Sequence, residues 1–74
     1  MLNKLKDILS LVMPEVDTAN VTEETRLRDD LGFDSLALMM LAMEIENAFN
    51  FRFSELVAFK TVGDVCKYLE ERGI

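Results

Sequence analysis

Apolar residues recur three and four positions apart along most of this chain, the spacing that gathers side chains on one side of an α-helix. Leu5, Ile8, Leu9 and Val12 form the first such stripe. They predict a helix from about Lys4 to Met13, with Asn3 as its N-cap and Pro14 as its stop. The pattern then dissolves. Between Pro14 and Asp34 apolar residues stand singly, at Val16, Val21, Leu27, Leu31 and Phe33. This reads as a loop of roughly twenty residues, long for a compact domain and therefore expected to serve a function. Periodicity returns from Ser35 to Phe49, with Asn50 placed to terminate a second helix. A short segment around Ser54 to Phe59 has room for one or two helical turns. The last helix begins at Thr61, which has capping-box spacing with Asp64, and runs to Arg72 ahead of Gly73. Its inward stripe is Val62, Val65, Cys66 and Leu69. The expected fold class is all-α: a small four-helix bundle, three principal helices plus one short helix, with a long loop between helices one and two.

The second helix is apolar on two sides. At about a hundred degrees per residue, Leu38, Leu41, Ala42, Ile45 and Phe49 gather on one side as a core face. Leu36, Met39, Met40 and Met43 gather roughly opposite. So small a bundle has difficulty burying both faces, so the outer one is expected to meet a partner. Methionine suits that role, because its flexible, polarizable side chain re-packs against different surfaces. The alternative is that some of these methionines line an internal cavity or cover the loop.

Composition narrows the picture. Seventy-four residues predict a single domain, 1–74, near the size at which one core is only marginally stabilising. Half of the residues are hydrophobic, enough to fold without metal or disulfide support. Cys66 is the only cysteine, which excludes an intrachain disulfide and fits a reducing cytoplasm. It is expected to be a small core residue rather than a reactive thiol. The chain starts at Met1 with an amphipathic segment carrying Lys4, Lys6 and Asp7. No apolar run is long enough for a signal peptide or a membrane span, so a cytoplasmic protein without stable membrane insertion is expected. Fourteen acidic residues against eight basic ones give a net charge of −6, which argues against nucleic acid as a partner. The acidity suits partners with basic docking surfaces, although it also serves solubility alone.

Absences exclude several chemistries. With no histidine, neither a Ser-His-Asp nor a Cys-His catalytic site can be assembled. There is no glycine-rich phosphate loop and no Cys/His metal cluster. Asp29, Asp30 and Asp34 lack the ligand spacing of an EF-hand loop. No catalytic and no metal-binding residue is therefore assigned.

The most informative stretch is Leu31-Gly32-Phe33-Asp34-Ser35-Leu36, where a glycine-punctuated loop enters the second helix. Asp is a strong N-cap, because its carboxylate accepts an amide that the first helical turn leaves unpaired. Ser35 then stands at the electropositive end of the helix, a place suited to a phosphate or phosphodiester. No activating base lies near it in sequence, so another protein must modify it.

From Thr25-Arg26-Leu27 through Leu36 the chain resembles the acyl carrier proteins of the phosphopantetheine-attachment superfamily, and the likeness extends over nearly its whole length. The resemblance implies that Ser35 bears a covalent 4′-phosphopantetheine arm, with Asp34 and Leu36 as flanking recognition residues. The thiol of that arm carries acyl groups as thioesters for fatty-acid, polyketide or related lipid biosynthesis. The implied partners are a phosphopantetheinyl transferase and acyl-activating, condensing or acyl-transferring enzymes, met by a monomer through its second helix. A tethered arm raises the effective concentration of substrate at each partner's site. Two other readings stay open: a discrete peptidyl or D-alanyl carrier, and an unmodified helical module whose methionine face docks in a groove.

The second helix also departs from the family pattern. Housekeeping fatty-acid carriers place acids two and five residues after the modified serine, where this chain has Ala37 and Met40. Glu44 and Glu46 remain, whereas Asn47 replaces another position that is often acidic. Docking through Leu36, Ala37, Met39, Met40, Met43, Glu44 and Glu46 should thus rely more on apolar contact than on charge. A specialised carrier is expected rather than the housekeeping one. The stretch from Phe53 to Phe59 is about two residues shorter than in relatives, where that region walls an acyl cavity. Phe51, Phe53 and Phe59 are expected to fill the core rather than to narrow such a cavity.

Overall fold

The computed structural model describes residues 1–53 and 59–74. It contains helices α1 (Leu2–Val12), α2 (Ser35–Phe49) and α3 (Val62–Glu71), with a 3-10 turn at Thr18–Asn20 in the loop between α1 and α2. No strand occurs among the described residues, only an isolated antiparallel bridge between Arg26 and Thr61. The architecture is the expected small helical bundle. The short helix expected from Ser54 to Phe59 falls, apart from Phe59, outside the described residues.

Helix α1 begins earlier than its sequence predicts. Asn3 lies inside the first turn, and Met1 occupies the cap position without a side-chain hydrogen bond. Met1 and Leu2 instead pack against the core, so burial replaces the missing cap, an instance of tertiary contact overriding local propensity. The helix ends at Val12 because Met13 precedes Pro14. At φ −135° and ψ 88°, Met13 has the non-helical backbone that a residue before proline prefers.

The other two helices follow their caps. The Asp34 carboxylate accepts the Ala37 amide at 2.8 Å, and Asn50 closes α2 in the left-handed region at φ 53°. In α3 the capping box forms in both directions: Thr61 accepts from the Asp64 amide, and Asp64 accepts from the Thr61 amide. Gly73, at φ 73°, turns the chain back so that the Ile74 amide reaches the Leu69 carbonyl, with Ile74 packed on the core.

Leu5, Ile8 and Leu9 of α1 meet Leu41 and Ile45 of α2 and Val62, Val65, Cys66 and Leu69 of α3 in one buried cluster. The void left among Leu5, Leu9, Leu27, Leu41, Val62 and Val65 is only about 10 Å³, too small for more than a water. Phe51, Phe53, Phe59 and Tyr68 form an aromatic group, with the centroids of its contacting rings between 4.9 and 6.1 Å apart. All four pack against the core, in keeping with a filling role.

The long loop is held at both levels, by side chains and by backbone. Val21, Leu27 and Phe33 are buried, and Val16 and Leu31 are half-buried. Leu27 donates its amide to the Lys60 carbonyl, Val62 donates to Thr25, and Gly63 donates to Glu23 at 2.8 Å. These bonds fasten the loop to the start of α3. A β-carbon on Gly63 would stand 2.8 Å from the Glu23 carbonyl oxygen, so the close approach requires glycine.

Candidate functional site

Ser35 is the first residue of α2 and is exposed. Its position is fixed from both sides. On the loop side Phe33 is buried, and its amide donates to the Leu27 carbonyl at 3.0 Å. Gly32 supplies the positive φ of 74° that lets the chain reverse from the preceding turn. On the helix side Leu41 is buried and Ala37 and Leu38 pack against the core. With Asp34 capping the helix, the Ser35 hydroxyl is left at the open N-terminal end.

One contact there had no signal in the sequence. The Arg28 guanidinium donates from Nη2 to Ser35 Oγ at 3.4 Å. Arg28 lies seven residues upstream in an irregular turn, so no helical spacing relates the two. A guanidinium is a donor only, so it cannot take the serine's proton. Among the described residues no base contacts the Ser35 hydroxyl.

The preceding turn is organised by a second arginine. Arg26 reaches Asp30 at 3.0 Å and Asp29 at 3.5 Å, and its own amide donates to Asp30. The hydrogen bond from Arg26 holds the Asp30 carboxyl below its ordinary range, and the same pairing raises Arg26. At the start of α3, Asp64 is likewise lowered, because it accepts from the Thr61 and Lys60 amides.

The outer face of α2 is open: Leu36 is 65% exposed, Met39 62%, Met43 59% and Met40 43%. No charged residue lies between Asp34 and Glu44, so this face begins beside Ser35 and is neutral. The remaining expected docking residues sit differently. Ala37 is drawn against the core, Glu44 is half-buried, and Glu46 accepts the Phe53 amide at 2.9 Å. Cys66 is buried, and desolvation pushes its thiol up. A cleft of about 500 Å³ is lined by loop residues including Glu15, Asp17, Asn20 and Asp30, and Ser35 does not border it.

An exposed serine hydroxyl, a helix N-terminus and an adjacent cation make a place for a phosphodiester. Residues 3–69 match the phosphopantetheine attachment site family. The acyl carrier protein of Thermotoga maritima is 42% identical over 72 residues, spanning 95% of this chain and 88% of the relative. That of Phytoplasma australiense is 42% identical over 72 residues, spanning 95% and 93%. The acyl carrier protein of Chlamydia caviae is 40% identical over 70 residues, spanning 89% and 91%. The chain belongs to the phosphopantetheine-attachment family, within its acyl carrier proteins. It is a carrier and not an enzyme, and its prosthetic group is 4′-phosphopantetheine. Its partners are a phosphopantetheinyl transferase and enzymes of acyl metabolism. Among the described residues no helix is long and apolar enough to cross a membrane.

Proposed function

We propose that Ser35 is the attachment serine and that the arm on it presents acyl thioesters to enzymes of fatty-acid, polyketide or related lipid biosynthesis, in the cytoplasm. One observation carries this reading: the Ser35 hydroxyl is exposed at the Asp34-capped start of α2, inside the stretch that matches the attachment family. Ser10 lies inside α1, away from any helix entry. Asp34 and Leu36 flank the hydroxyl where a transferase must approach it.

The same reading extends to docking. Leu36, Met39, Met40 and Met43 form the surface that a partner covers, with Glu44 at its edge. A neutral apolar face gains affinity from contact area and little from long-range steering. It therefore suits a specialised carrier that meets a narrow set of enzymes as a monomer. Incubation with a phosphopantetheinyl transferase and coenzyme A tests the assignment. The intact mass should rise by one phosphopantetheine unit, and Ser35→Ala should show no gain. A gain that survives Ser35→Ala would place the arm elsewhere.

A further inference from the structure

The loop before α2 carries two arginines in contrasting states. Arg26 is bound to Asp29 and Asp30. Arg28 has no carboxylate within ion-pair distance among the described residues, and its side-chain contact is the long 3.4 Å approach to Ser35 Oγ. So long a bond to a neutral hydroxyl holds a guanidinium weakly. Its backbone, by contrast, is fixed, because the Arg28 carbonyl accepts the Gly32 amide at 3.0 Å. The side chain is therefore presented by a set turn, exposed and unspent, against the one oxygen that the arm would occupy.

We propose that Arg28 is the protein's own counter-ion for the phosphodiester of the arm, a positioning residue that restrains the arm at its root. The proposal rests on the assignment of Ser35 as the attachment site. Two features favour such a cation there. Asp34 already places a carboxylate at the N-terminus of α2, and a phosphodiester set beside it meets a like charge. The chain as a whole carries a net charge of −6, so further negative charge is disfavoured over a longer range. A guanidinium in contact with the bridging oxygen is placed to reach the free phosphoryl oxygens, to which its planar fork is matched. Loading then exchanges a weak contact with a hydroxyl for a charge-assisted one.

The test uses the whole protein in its apo and loaded forms. Peptide mapping first establishes one arm on Ser35. Failure at that step overturns the attachment assignment, whereas success leaves Arg28 to be judged separately. Nitrogen-edited NMR then follows the Arg28 guanidinium, and phosphorus NMR follows the phosphodiester. On loading, the Arg28 Nε–H should shift and its proton exchange should slow by about two- to five-fold, the protection expected of an exposed ion pair. Molar salt should reverse the effect, and the Arg72 signal should not move. The phosphorus resonance should shift in Arg28→Gln, return part of the way in Arg28→Lys, and stay in place in Arg72→Gln. An Arg28 signal that is identical in the apo and loaded proteins would overturn the proposal, and that comparison needs no variant to fold. A phosphorus shift no larger in Arg28→Gln than in Arg72→Gln would overturn it equally.

Discussion

Replacing Met39 by alanine should weaken binding to a partner more than replacing Met40, although the two are neighbours on one helix. Met39 is 62% exposed and Met40 43%, so a partner that covers this face removes more surface from water at Met39. Complete burial of a methionine side chain contributes about 1.5–3 kcal/mol. Scaled by exposure, the loss is about 1–2 kcal/mol at Met39 and about 0.6–1.3 kcal/mol at Met40. These correspond to roughly 5- to 30-fold and 3- to 9-fold in Kd. Glu44→Gln removes at most one exposed ion pair, worth about 0–1 kcal/mol, and its effect should fade with salt. The phosphopantetheinyl transferase is the partner to use, because binding of the apo protein can be measured by calorimetry without any cargo. Alanine is the better helix former, so thermal melts should show both variants folded, and Met40→Ala should lose the more stability because it is the more covered. Normal binding by Met39→Ala, together with a salt-dependent loss in Glu44→Gln, would refute an apolar docking face.

Other expectations follow from single contacts. Gly63→Ala should destabilise the fold by about 1–3 kcal/mol despite alanine's helix propensity, since its β-carbon would meet the Glu23 carbonyl at 2.8 Å; a urea midpoint equal to or above that of the parent would contradict the close approach. The Asp64 and Asp30 carboxyls are lowered in the folded protein, so their contribution is complete above the unfolded-state value of about 3.9 and is lost as the pH falls through the folded values. Urea midpoints should therefore drop as the pH falls below about 5, and Asp64→Asn should flatten that slope. The Cys66 thiol is buried and raised, so a thiol reagent at neutral pH should label it only at the rate of unfolding; fast labelling of native protein would mean that α3 opens independently.

Helix α2 was legible from end to end because both its signals are local. Asp34 caps its own helix, and Asn50 tolerates the left-handed backbone that ends it. Thr61 and Asp64 announced α3 in the same way. The start of α1 was missed because Asn3, a good cap by type, competes with the packing of Met1 and Leu2, which depends on the assembled core. The loop showed only its anchors. Its fastening to α3 runs from Thr25 and Leu27 to Val62 and Lys60, a pairing of distant backbone atoms that no pattern of side chains encodes. The proposal of Ser35 could be drawn from the sequence because its neighbours form a motif. Arg28 could not, because a turn brings it to the serine and nothing in the spacing of the two residues signals that approach.

The central claim, an acyl group carried on Ser35, is tested most directly on protein isolated from its own cells. Peptide mapping by mass spectrometry should find phosphopantetheine on Ser35 alone, and hydroxylamine should release an acyl group from its thiol. An arm on Ser10 or Ser54, an aminoacyl group in place of the acyl chain, or an unmodified Ser35 would contradict the account.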